Sequence, residues 1–137
     1  MEKSKRKKEK EIDDKAVKFV VQVYEPSKGR KAEDVRIEKL GYDVESKGRK
    51  IEVKGTEKNI PNPAGHHITL LPKQYKTMKK YPDYWIYRVY NVGGKGKEKV
   101  VPIPRNEILL HLTSYIVHKL VLKKEEWEKL EKKGEKR

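Results

Sequence analysis

The chain has 137 residues, 34% of them hydrophobic and 41% charged, which leaves room for one domain whose modest core is gathered in a few apolar segments. Lys and Arg outnumber Asp and Glu by 35 to 21, and the net charge of +14 makes a polyanion, nucleic acid first among them, the leading partner class. The absence of cysteine excludes a disulfide framework and thiolate metal sites, and no apolar run approaches the roughly 20 residues of a membrane span, so a cytoplasmic protein with no membrane partner is expected.

Residues 1–10, with Lys3, Lys5, Arg6, Lys7, Lys8 and Lys10, are expected to form a flexible basic tail, and residues 11–137 a single domain. Ile12, Ala16, Phe19, Val20 and Val23 recur at helical spacing, Val17, Val21 and Tyr24 widen the stripe, and Pro26 and Gly29 end the element. Glu25 falls in its last turn. Arg30 to Arg36 reads as a loop or short strand in which Arg30 and Lys31 are candidate phosphate contacts.

The next segment, from Gly41 to Thr56, reads as a hairpin turning at Lys47-Gly48. Asp43 then lies opposite Glu52, Val44 opposite Ile51 and Tyr42 opposite Val53. Because side chains alternate, Tyr42, Val44, Ile51 and Val53 are expected on an apolar face, and Asp43, Glu45, Lys50, Glu52 and Lys54 on the other. Two carboxylates directly opposed on a sheet repel each other, and a hard divalent cation such as Mg²⁺ or Mn²⁺ relieves that repulsion. Lys54 shares their face and can neutralise charge that develops on a phosphate. An ordinary solvated charged face, with Lys50 paired to Glu45, is the alternative.

Gly55 to Gly65, with Pro61, Asn62 and Pro63, reads as a loop that could border a nucleic-acid groove. His66-His67 opens a strand through Ile68 to Leu71 and points its two imidazoles to opposite sides, a poor arrangement for one ion. Pro72 starts a helix carrying Lys73, Gln74, Lys76, Lys79 and Lys80. Tyr84 to Val92 and Val100 to Ile103 are strands joined by a glycine-rich turn, and Trp85 and Tyr87 could stack on bases where exposed. Asn106 to His118 has helical spacing, Lys119 to Leu122 is a possible short strand, and Glu125 to Lys133 a charged helix with Trp127 and Leu130. The apolar Ile108 to Ile116 segment could complete the core or form a dimer surface.

Asp43, a short hairpin and Glu52-x-Lys54 at the end of an apolar strand together resemble the PD-(D/E)xK nuclease superfamily. A longer pattern covers about residues 12 to 105: Tyr24-Glu25, Gly29-Arg30, Gly41-Tyr42-Asp43-Val44, Ile51-Glu52-Val53-Lys54-Gly55, Ile68-Thr69-Leu70 and Tyr84-Trp85-Ile86-Tyr87-Arg88-Val89. It resembles the domain family that also forms the C-terminal part of the plant NO VEIN protein. The resemblance implies an α/β domain of restriction-endonuclease style, a mixed sheet flanked by helices. It also implies Asp43 and Glu52 as ligands of Mg²⁺ or Mn²⁺, joined by the Val53 carbonyl and Glu25, with Lys54 as the catalytic lysine. Lys73 and Gln74 fall on the helix from which related nucleases often orient substrate.

The expected function is therefore metal-dependent hydrolysis of DNA phosphodiester bonds, with Arg30, Lys31, Lys73, Gln74 and Lys76 contacting the nucleic acid. A role in defence, restriction or repair is inferred from relatives. The alternatives are a non-catalytic nucleic-acid-binding module of the same fold and a structural dimerisation domain.

Overall fold

A computed structural model describes residues 2–59, 67–113 and 123–135, with side chains from residue 5 onward. Five strands form one mixed sheet in the order β1-β2-β3-β4-β5: β1 Ala32–Asp34, β2 Val44–Ser46, β3 Arg49–Gly55, β4 Tyr84–Tyr90 and β5 Lys99–Pro104. Only β3 and β4 run parallel; the other neighbours are antiparallel. The parallel pair needs a crossover, which α3 (Pro72–Lys80) supplies. The result is the mixed-sheet α/β fold that the sequence predicts.

The two sheet faces are covered by different helices. On the first lies α1 (Glu2–Phe19), whose Ala16 and Val17, followed by Val20, pack against Val44, Ile51, Val53, Tyr87 and Val89. On the second, Met78 of α3 and Ile108 of α4 (Arg105–His111) pack with Val35, Tyr42, Tyr84 and Ile86. Burial of these large side chains, each worth about 1.5–3 kcal/mol, outweighs the modest propensities of a chain this charged. A further helix, α5 (Lys124–Glu135), keeps every described residue exposed, Trp127 and Leu130 included.

Three expectations are corrected. Residues 2–10 are helical, forming the first turns of α1 where a tail was predicted. Residues 67–71 carry no strand; among them Ile68 and Leu70 instead pack beside the second cluster as irregular chain. Tyr42 joins that same cluster rather than the face of Val44, Ile51 and Val53, because the hairpin ladder ends one residue earlier: the Val53 N–H donates to the Asp43 side chain at 2.9 Å. The expected positions of Pro61, Asn62, Pro63, His66, the Lys119 to Leu122 strand and the end of the Ile108 to Ile116 segment lie outside the described residues.

The α1 helix does not stop at Phe19. It passes through a π-helical turn, Val20–Tyr24, into a short helical turn, α2 (Glu25–Ser27). A π turn adds a residue to the helical repeat and so rotates everything beyond it. Val23, predicted inward, is 51% exposed, and Glu25 is fully buried in its place.

Candidate active site

The hairpin register brings the acidic pair together as the sequence predicts. Val44 pairs with Ile51, and the Asp43 N–H donates to the Ile51 carbonyl at 2.9 Å, leaving Asp43 next to Glu52. Glu52 is only 5% exposed. Its position on the second face sets it under α3, where Gln74 Nε2 donates to Glu52 Oε1 at 2.8 Å.

Gln74 organises the cluster. Its Oε1 accepts from the Lys54 ammonium at 2.9 Å and from the Leu71 N–H at 2.9 Å, so the amide is fixed by the start of its own helix and in turn fixes the lysine. Lys54 Nζ is also 3.8 Å from Glu52 Oε1. One amide therefore joins the base and one acid of the predicted motif, with Glu52-x-Lys54 placing both side chains on the same face of β3.

Electrostatics set this pair apart from an ordinary solvated face. Burial first, and then the charge of Asp43, push the Glu52 carboxyl far above the usual range; Lys54 opposes this without cancelling it. Asp43 is raised as well, by burial, against the Val53 N–H, its hydrogen bond with Glu52 and the charge of Lys54. Two carboxyls held this way resist being ionised together, and a cation between them relieves that cost.

Two neighbours were not read from the sequence. Asp13 of α1 is raised by partial burial and then by the charge of Asp43, which places it at the margin of the same field. It comes there because Gly55 lets α1 cross the end of β3 closely: a Cβ on Gly55 would meet Ala16 Cβ at 2.7 Å. Tyr84 is fully buried on β4, its hydroxyl has no hydrogen-bond partner among the described residues, and it is pushed up by burial and by the charges of Glu52 and Asp43. Asp13 stands beside the apolar stripe of α1, a signal that helical periodicity alone cannot turn into a contact.

The other predicted residues divide between two places. Glu25 is not brought to Asp43 and Glu52. It lies on the first sheet face, where Arg30 holds it bidentately (2.9 and 2.6 Å) and the Tyr87 hydroxyl donates to it at 3.1 Å. Arg30 is thereby occupied, and with the exposed Lys31 it sits at the far end of the hairpin from Asp43, since Ala32 pairs with Ser46 and Asp34 with Val44. Lys73, Gln74 and Lys76 share α3 beside the site; Lys73 donates to the Lys39 carbonyl at 2.7 Å, and Lys76 is exposed. Val53 meets the cluster through its N–H. Trp85 is partly covered by the Arg49 guanidinium, 3.8 Å from its ring centre, and Tyr87 is fully buried, so Tyr87 presents no stacking surface.

Residues 12–103 match the model of the family described as Protein NO VEIN, C-terminal. The chain belongs to the NO VEIN C-terminal family. The matched region contains all five strands up to Ile103 and every residue of the Asp43, Glu52, Lys54 and Gln74 cluster, while α4 and α5 lie beyond it. No curated protein and no solved structure matches the chain. Among the described residues no helix is long and apolar enough to cross a membrane. None of them groups three or more His, Cys, Asp or Glu side chains as a ready metal cluster either.

Proposed function

We propose that this NO VEIN C-terminal domain hydrolyses phosphodiester bonds of DNA with a divalent cation, in the manner of the PD-(D/E)xK nucleases it resembles. The observation that carries the reading is the collection of Asp43, Glu52 and Lys54 around Gln74 on one sheet face, with the two acids buried together beside a single ammonium.

The donor chemistry fits Mg²⁺ or Mn²⁺: two hard carboxylates side by side, with substrate oxygens and water free to complete the set. Asp43 and Glu52 are the residues that would hold the ion, which supplies Lewis-acid stabilisation of charge on the phosphoryl oxygens. Asp43 is kept in place by the Val53 N–H and Glu52 by the Gln74 amide. Lys54, oriented by Gln74 Oε1, offers its remaining N–H bonds to a phosphate oxygen or to the departing one. Lys73 and Lys76 on α3, with the net charge of +14, favour the approach of a polyanion.

A non-catalytic nucleic-acid-binding module is the second reading, favoured by the way Gln74 and Lys54 already satisfy Glu52. The experiment that separates the two is a cleavage assay with Mg²⁺ or Mn²⁺ on plasmid, single-stranded and branched DNA. Cleavage that disappears in Asp43→Ala supports the enzyme. Tight binding with no cleavage of any substrate supports the module.

A further inference from the structure

The loop from Val35 to Gly41, which connects β1 toward β2, is tied down everywhere except at its tip. Val35 is buried and its N–H donates to the Asp43 carbonyl at 2.9 Å. Arg36 folds back on Asp34 at 2.8 Å and reaches Asp14 of α1 at 2.7 Å. On the other side, the Lys73 ammonium of α3 holds the Lys39 carbonyl at 2.7 Å. Gly41, at φ +93°, presses so closely on α3 that a Cβ would meet Thr77 Oγ1 at 2.1 Å. Lys39 itself is held at φ 52°, a left-handed conformation that a residue with a side chain adopts only under restraint.

At the apex of this restrained loop Ile37 is 91% exposed, and Leu40 is 43% exposed. Ile37 rims an open groove with Lys10, Asp14, Asp34 and Arg36. Val35 is bonded to the Asp43 backbone and Gly41 stands two residues before Asp43, so the loop borders the candidate active site. Lys10, Lys39 and Lys73 bring ammonium groups to this part of the surface, where the acids Asp14, Asp34 and Glu38 also stand. A single exposed apolar residue is common and inert on most surfaces. Ile37 differs in being presented by a loop anchored to helices on both sides, beside the acidic pair that the proposed function assigns to a cation.

We infer that Ile37 is a wedge that enters the base stack of a nucleic acid lying along this site, so that the favoured substrate is a duplex whose stacking is already weakened by a mismatch, bulge or branch. Apolar side chains inserted between base steps are a general means of kinking a duplex, and the insertion is easiest where stacking is poorest. Lys10, Lys39 and Lys73 are the cations within this surface that phosphates flanking an opened step would meet. This rests on the nucleic-acid part of the reading above and does not require cleavage.

The test uses the full chain in EDTA, so that no hydrolysis intervenes, with DNA duplexes that carry 2-aminopurine beside a single mismatch and with their fully paired counterparts. Binding should raise the 2-aminopurine fluorescence, and the mismatched duplex should bind about tenfold more tightly than the paired one. Ile37→Ser should remove both effects while preserving the slope of log affinity against log salt. That variant loses no buried contact, and an unchanged melting temperature verifies that it folds. Leu110→Ser, at a position 73% exposed on α4, is the control and should change nothing. An Ile37→Ser protein that opens and selects mismatched DNA like the parent overturns the wedge. DNA binding by the parent with no fluorescence change overturns it too, yet leaves the nucleic-acid reading standing; no DNA binding at all removes both. A parent dimer that Ile37→Ser converts to monomer reassigns the tip to self-association.

Discussion

Burying Glu52 beside Asp43 gives the folded chain a proton that the unfolded chain would release. The Glu52 carboxyl is pushed up to about 9, by burial first and by Asp43 second, against 4.5 for an ordinary glutamate. Between those values the folded state binds more protons than the unfolded state, so this pair makes stability fall as pH rises through the window. Glu52→Gln keeps an acceptor for Gln74 and a donor for Asp43 but cannot ionise. It should flatten the pH dependence and raise stability at pH 8 by about 1–3 kcal/mol, with little change at acidic pH. Urea unfolding at both pH values checks this, and parallel pH profiles for the two proteins would refute it. Lys54 gives a complementary prediction. One ammonium among 35 basic residues adds little to attraction, so Lys54→Ala should leave DNA affinity nearly intact while cutting the cleavage rate about 100-fold. Equal losses in affinity and rate would reduce Lys54 to a phosphate contact.

At the scale of elements, the π turn after α1 decides what Glu25 does. Its carboxyl is completely buried, and Arg30 holds it below the usual glutamate value although burial alone pushes the other way. Arg30 also ties the chain entering β1 to the start of α2. Arg30→Ala would leave a buried carboxylate without its cation, facing the Tyr87 hydroxyl, and should cost about 3–5 kcal/mol, measurable by urea unfolding; a loss below 1 kcal/mol would show that the ion pair is dispensable. The hairpin around Asp43 and Glu52 was legible in the sequence because alternation has a strict period of two and Lys47-Gly48 fixes its register. The role of Glu25 was not, because reading the stripe at 3.6 residues per turn carries no trace of a π turn and sends Val23 inward. Tyr42 escaped for a related reason: the Asp43 side chain takes a hydrogen bond that a regular ladder gives to backbone, and the chain turns over one residue early. Asp13 depends on a crossing between α1 and β3 that Gly55 permits, a contact between segments far apart in sequence that no local pattern encodes.

Across the whole molecule, the proposed function requires charge and site chemistry to be compatible, since ionised acids at the site would repel the phosphates that a +14 chain would attract. On that reading the long-range attraction would come chiefly from the lysines of α1 and α3, whereas the acids act locally on whatever reaches them. A domain built this way should bind duplex DNA with strong salt dependence, because each neutralised phosphate releases counterions. With about six phosphates contacted, affinity should drop by roughly 10³-fold between 50 and 200 mM salt. Replacing Lys5, Arg6, Lys7, Lys8 and Lys10 by glutamine keeps the helical start of α1 but removes five charges. It should weaken binding and lower the slope without abolishing metal-dependent cleavage, since these residues lie outside the Asp43, Glu52 and Lys54 cluster. Fluorescence anisotropy across a salt series measures the slope, and a plasmid assay measures cleavage. A flat salt dependence in the parent chain would turn the assignment toward a protein partner, with the exposed Trp127 and Leu130 of α5 as the first surface to test.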